Sequence, residues 1–131
     1  MGTRSSIAVK MSDNKVKTIY CHWDGYPSHN GKMLKGFYNS QEMAESLVNL
    51  GDMSILDESI EKPDGHTFDK RVEGYSTFYG RDRGETGVDA KEFDTYDKAL
   101  KFNNHNYNYY WDGEKWLVDG EVLTDEIINN D

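Results

Sequence analysis

The chain has 131 residues, of which 15 are basic and 24 acidic, giving a formal net charge of −9 on a background of 36 % apolar residues. That length suits one domain and leaves too little chain for two independent cores. A single cysteine excludes an internal disulfide and a cysteine-rich zinc site. No stretch approaches the roughly 18 apolar residues of a membrane span, and no charged-then-apolar leader points to export, so a reducing cytoplasm is the expected setting.

The N-terminus reads as a β-hairpin. Ile7, Val9 and Met11 alternate on one arm, and Ile19, Cys21 and Trp23 on the other. A three-residue turn at Asp13, Asn14 and Lys15 sets Val9 opposite Ile19 and Ile7 opposite Cys21. All six apolar groups then share one face, with Arg4, Tyr20 and His22 on the other. Met33, Leu34 and Phe37 follow at helical spacing, weakened by Gly36. A second helix has a clearer start, with Asn39 as cap, Glu42 reaching back, and Tyr38 stapled onto Met43. Met43, Leu47 and Leu50 form its apolar stripe, flanked by Ala44 and Val48, and Gly51 stops it.

Residues 57–74 are dense in charge, with Ile60, Phe68 and Val72 as sizeable apolar anchors and a turn at Pro63, Asp64 and Gly65. They read as a long charged loop. Tyr75 to Tyr79 reads as a strand, Gly80 to Gly84 as a tight loop, and Gly87 to Phe93 as the returning strand. Asp94 or Thr95 then caps a short helix carrying Tyr96, Ala99 and Leu100. In the last hairpin, Asp112-Gly113 is expected as a two-residue turn. It places Tyr109 opposite Trp116 and Tyr107 opposite Val118, with Trp111 on the same face. The acidic tail 121–131 holds enough apolar residues for a short strand or helix.

The expected order is β-β-α-α, a charged loop, β-β-α and β-β within a single domain, 1–131. This is an α+β fold, with an antiparallel sheet of five to six strands built from hairpins and two to three helices over one face.

Two segments carry the side chains most able to recognise a ligand. Tyr20 to Gly31 contains His22, Trp23, Asp24, Tyr26 and His29 where a strand leaves the sheet. His22, Asp24 and His29 could supply metal ligands, but their spacing fits no helical metal motif, and Trp23 and Tyr26 also suit packing within a turn. Cys21 and His22 are adjacent on a strand and point to opposite faces, so they form no nucleophile–base pair. Cys21 reads instead as a small buried hydrophobe. The second segment, Tyr79 to Thr86, holds Arg81 and Arg83 between glycines. Their forks suit a carboxylate or phosphate, with Arg4 joining if the strands neighbour each other. The bland alternative is that Asp82 and Glu85 already pair with both arginines. The acidic abundance names no general acid or base, Asp64-Gly65-His66-Thr67 reads as a turn, and no phosphate-loop or nucleophile-elbow motif is present. No catalytic residue, cofactor or metal is assigned.

Four segments resemble a family of small uncharacterised proteins of tailed bacteriophages and phage-derived bacterial regions: Thr3-Arg4-Ser5-Ser6-Ile7-Ala8-Val9, Tyr20-Cys21-His22-Trp23-Asp24-Gly25-Tyr26-Pro27, Leu50-Gly51-Asp52-Met53-Ser54-Ile55-Leu56 and Tyr79-Gly80-Arg81-Asp82-Arg83-Gly84-Glu85. The resemblance implies a phage accessory protein made in a bacterial cytoplasm. It implies no mechanism and transfers no functional residue.

Charge is divided unevenly. Residues 1–50 carry six basic and four acidic groups, net +2, and residues 51–131 carry nine and twenty, net −11. Such a field repels nucleic acid and anionic lipid, so neither is expected as a partner. It serves solubility, or presents an acidic face to a basic partner. The leading expectation is therefore a non-catalytic binding protein that modulates a host component. The runner-up is a small-molecule binder that captures a nucleotide-like anion with Arg4, His22, Trp23, Asp24, Tyr26, Arg81 and Arg83. A hydrolase using His22, Asp24 and His29 ranks last.

Overall fold

A computed structural model describes residues 3–130; Asp131, the end of the acidic tail, lies outside the described residues. The first two strands, β1 (Ser5–Lys10) and β2 (Val16–Cys21), form the expected hairpin, but two residues out of the expected register: Ile7 faces Ile19 and Ser5 faces Cys21. The cause is a three-residue turn set one position earlier, at Ser12, Asp13 and Asn14, closed by the Met11 amide donating to the Lys15 carbonyl at 2.8 Å. Lys10 pairs with Val16, and the left-handed position falls on Asn14 (φ 69°), which tolerates it better than Lys15 does. A shift of two keeps every side chain on its face, so Ile7, Val9, Ile19 and Cys21 still enter the core. Met11 is only partly buried, and Trp23 is exposed.

A π-helical turn, Pro27–Gly31, leads into α1 (Lys32–Phe37), and α2 (Gln41–Val48) follows. Ser40 caps α2 by accepting from the Met43 amide at 3.2 Å, so the helix starts one residue later than the Asn39 reading. With Ser40 as the cap, Tyr38 stands two residues before it rather than directly before it. Tyr38 is fully buried, its hydroxyl donates to the Asp57 carbonyl at 2.6 Å, and its carbonyl accepts from the Trp116 indole at 3.1 Å. Of the expected stripe only Leu47 is fully buried; Met43 and Leu50 are partly buried, and the flanking Ala44 and Val48 enter the core beside Leu47.

Beyond Gly51 (φ 86°) come β3 (Met53–Ile55) and, after the charged loop, β4 (Thr77–Phe78), shorter than expected. Gly80 to Gly84 is not a hairpin loop but the helix α3 (Tyr79–Arg83), stopped by Gly84 in the left-handed region. The Asp82 carboxylate accepts the Phe78 amide at 2.8 Å and so stabilises the first turn. The returning strand, β5 (Lys91–Phe93), pairs antiparallel with β2 rather than with β4. Thr95 caps α4 (Tyr96–Phe102).

The last hairpin joins β6 (Tyr107–Trp111) to β7 (Trp116–Val118), again two residues out of register, with Tyr109 opposite Val118 and Trp111 opposite Trp116. Asp112-Gly113 is not a two-residue turn. The Asp112 carboxylate accepts the amides of Glu114 and Lys115, both at 2.9 Å, and so closes a four-residue loop. The two-residue turn is Asp119-Gly120, with φ of 49° and 87°, before β8 (Glu121–Val122). The tail ends in α5 (Asp125–Asn129), whose Ile128 reaches the core.

The strands form one sheet of order β4-β3-β2-β1-β6-β7-β8, with β5 alongside the first half of β2. The sheet is mixed rather than antiparallel, because β1–β6 and β2–β3 are parallel pairs. Helix-containing connections lead into both β3 and β6, and such crossovers permit parallel return where a tight hairpin does not. Among the described residues, eight strands and five α-helices replace the expected five to six strands and two to three helices. The helices also flank both faces. Against one lies the main core with α2, α1 and α5. Against the other, α4 sets Ala99 on Ala8 and Val16, small side chains that permit close approach. Among the described residues no helix is long and apolar enough to cross a membrane.

Candidate functional site

Where β2 runs past the end of α4, its outer face is left with Tyr20 and His22, and the polypeptide after α4 folds back over it. Buried Asn103 donates to the Thr18 hydroxyl (3.0 Å) and the Ile19 carbonyl (2.9 Å), and its Oδ1 lies 2.7 Å from His105 Nε2. The fixed His105 ring rests 4.9 Å from that of Tyr20. The Tyr20 hydroxyl and His22 Nδ1 share a hydrogen bond of 2.6 Å, and the His22 ring stands edge-on to Trp23 at 4.7 Å and 86°. His105, Tyr20, His22 and Trp23 thus form a continuous row of rings, ending in an indole that is 40 % exposed. Burial raises the Tyr20 pKa against the opposing charge of Arg4. Burial lowers that of His105, and the charge of Arg4 adds to the effect. The charge of Arg4 therefore reaches both rings, and its backbone lies against the segment that carries His105, the amide donating to Asn106 Oδ1 at 3.2 Å and the carbonyl accepting the Tyr107 amide at 3.3 Å.

Backbone and turn residues hold this row in place. The amides of His22 and Trp23 donate to the carbonyls of Met53 (3.1 Å) and Ser54 (3.0 Å), extending β2 along β3. Asp24 then adopts a left-handed conformation (φ 57°), and its carboxylate accepts the Tyr26 hydroxyl at 2.9 Å. Gly25 must be glycine-like in size, because a Cβ there would stand 2.8 Å from the Arg4 carbonyl carbon and oxygen. Asp24 and Tyr26 consequently shape the turn that presents Trp23. His29 turns away, with Nε2 3.0 Å from the Leu56 carbonyl, so His22, Asp24 and His29 do not converge. Among the described residues no group of three or more His, Cys, Asp or Glu is arranged to hold a metal ion.

The two motif-rich bends do meet one region of the sheet. The Asp52 carboxylate accepts the Tyr20 amide at 2.9 Å, and its carbonyl accepts the Tyr79 amide at 3.2 Å, so α3 starts beside the row of rings. The arginines of α3, however, are engaged within the protein. Arg81 donates through Nε to Asp82 Oδ1 (3.0 Å), through Nη2 to Asp82 Oδ2 and the Ser76 carbonyl (both 3.2 Å), and through Nη1 to the Ile60 carbonyl. Arg83 pairs with Glu85 at 3.2 Å and covers the Phe68 ring at 4.7 Å, remaining half exposed. The pairing weighed as the bland alternative is therefore present, on a helix rather than in a hairpin loop. Of the seven binding candidates, His22 and Trp23 touch, the backbone of Arg4 lies beside the Gly25 turn that follows them, Asp24 and Tyr26 shape that turn, Arg83 is turned to Phe68 and Glu85, and Arg81 faces inward.

No family model, curated protein or solved structure matches the chain.

Sequence reading missed His105, which lies 83 residues from His22 and joins it only through tertiary folding; the Asn-rich stretch 103–108 was its one local sign. It also missed His66. The expected Pro63–Gly65 turn is present, with the His66 amide donating to the Pro63 carbonyl at 3.1 Å, but the imidazole is buried. Its Nδ1 accepts the Val72 amide at 3.1 Å, so the proton sits on Nε2, which faces the buried Asp82 carboxylate at 3.5 Å. The charged loop is thereby anchored from inside.

Proposed function

We propose that this chain is a non-catalytic binding protein whose partner docks on the row formed by His105, Tyr20, His22 and Trp23, with Arg4 at its rim. The observation that carries the reading is the exposure of Trp23 while it is held edge-on by His22. An indole left in water on a rigid turn forfeits burial, and a partner that covers it recovers that free energy. Trp, Tyr and Arg are the side chains that dominate binding energy in protein interfaces. The net charge of −9 favours a basic partner and speeds its approach. The resemblance of the four quoted segments to phage proteins extends the reading to a phage accessory factor that binds and modulates a host component in the bacterial cytoplasm.

The test is a pull-down from bacterial lysate at low salt with the full chain, Trp23→Ala, and a charge-matched unrelated protein. The expected result is one host protein retained by the wild type and lost with Trp23→Ala. Retention of nothing, or of the same proteins by the control, would overturn it.

A second reading, capture of a nucleotide-like anion, is favoured by the placement of Arg4 beside stackable rings. It is weakened by the internal engagement of Arg81. A melting temperature unmoved by nucleotides and cyclic dinucleotides would remove it.

A further inference from the structure

On the far side of His105 lies a cleft of about 620 Å³ between α4 and the Asp119-Gly120 turn. One wall is Tyr96, stacked flat on Tyr110 with ring centroids 4.0 Å apart and planes 5° from parallel. Asp97 and Asp119 also line the cleft, and its lining contains no lysine or arginine. Arg4, whose charge is felt at His105, does not line it. Asp119 is held in place: its Oδ1 accepts the Asn108 amide at 3.2 Å and the Asn108 side-chain amide at 3.0 Å, and its own amide donates to the Asn108 carbonyl at 2.8 Å. Asn108 is itself more than nine-tenths buried and is tied to the Ser6 hydroxyl at 2.8 Å. Burial and then the charges of Asp119 and Asp97, with the neighbouring Tyr110 between them in weight, push the Tyr96 hydroxyl up to about 12. Both carboxylates are thus felt at the aromatic wall.

We infer that this cleft is a binding site for an arginine side chain presented by a basic polypeptide, with the guanidinium lying on the Tyr96 ring and paired to Asp97 and Asp119. A planar cation satisfies an aromatic face and carboxylates at once, which an ammonium point charge does less well. The volume exceeds one guanidinium and admits the flanking peptide, whose backbone groups suit the exposed Asn104 and Asn106 at the rim. The site rests on the binding-protein reading above and specifies the chemistry of its partner.

The test is an NMR titration of the full chain, at low salt, with a blocked Ala-Arg-Ala peptide, the same peptide with citrulline for arginine, and spermidine. Saturable shifts of the Tyr96, Asn108 and Asp119 amides are expected with the arginine peptide, weakened about tenfold with citrulline and in Asp119→Asn. Asn tolerates the left-handed backbone at 119, and Asp97→Asn, at an exposed position, provides a second variant if the first is perturbed. No shift, equal binding of the citrulline peptide, or tighter binding of spermidine than of the arginine peptide would each overturn the inference. A host protein captured through Trp23 but indifferent to both aspartate variants would overturn this site and leave the binding-protein reading standing. Binding of the arginine peptide without capture of any host protein would do the reverse.

Discussion

The guanidinium of Arg81 grips the carboxylate of its own neighbour, Asp82, through Nε at 3.0 Å and Nη2 at 3.2 Å, and the Asp82 side chain is entirely shielded from solvent. The same guanidinium reaches the carbonyls of Ile60 and Ser76, so one side chain fastens α3 to both ends of the charged loop. With His66 against Asp82 from inside the loop, residues 57–74 are tied down without helix or strand of their own, apart from the single bridge between Ser59 and Tyr75.

Arg81→Ala should therefore cost about 2 kcal/mol, within the range for a shielded charged group that loses one partner, because Asp82 keeps the Phe78 amide, His66 and Lys62 at 3.8 Å but loses its closest cation. Urea denaturation measures the loss. Limited proteolysis should show cleavage within 57–74 at protease levels that spare the wild type. Arg81→Lys should not restore stability, since an ammonium cannot reach the carboxylate and both carbonyls together.

Acid should weaken the same fastening. Burial acts to raise the Asp82 pKa, but the Arg81 hydrogen bond, the Phe78 amide and the charge of Arg81 outweigh it and hold the carboxyl below its ordinary value. A depressed folded-state pKa contributes stability that is complete above the unfolded value and fades as pH falls toward the folded one. The urea midpoint should thus begin to drop below about pH 4. Asp82→Asn should lower stability at pH 7 and flatten the acid limb; an unchanged limb would remove Asp82 from the account.

Cys21 should be chemically silent in the folded protein. It is fully buried, and burial pushes its thiol up to about 11. Thiolate is the reactive species, so a disulfide reagent should modify no thiol under native conditions and one per chain in denaturant. Rapid native labelling would contradict the packing of β2.

Ser40 and Asn39 compete for the start of α2 in sequence, and the structure assigns the cap to Ser40. Ser40→Ala should cost about 1 kcal/mol by thermal or urea unfolding, whereas Asn39→Ala should fall within about 0.5 kcal/mol of wild type.

Much of the local structure was legible because its causes are local. Alternation in β1 and β2, the apolar side of α2 before Gly51, a cap at Asp94 or Thr95 and the burial of Cys21 each follow from side chains a few residues apart. The hairpin registers differ from the expected ones by two residues for an equally local reason: Asn14 takes the left-handed position and so sets the first turn one residue earlier, and the Asp112 carboxylate stabilises a loop longer than the expected one. Because the displacement was even, the faces survived, and the core residues of both hairpins remained readable apart from Trp23, which is exposed, and Met11 and Tyr107, which are partly buried. At the candidate site, Trp23, His22 and Arg4 could be singled out by type, yet nothing near Arg81 in sequence announces that Ile60 and Ser76 will claim its fork.

Composition and short-range pattern determined that this is an α+β chain with an acidic second half, which faces of its hairpins turn inward, and where its aromatic and arginine-rich bends lie. Tertiary structure alone decided that the sheet is mixed, that α4 covers the second face, that His105 completes the ring row, and that Arg81 turns inward while Trp23 stays in water. Turn chemistry and periodicity act over a few residues, whereas strand order and the partners of long side chains depend on contacts between segments far apart in sequence.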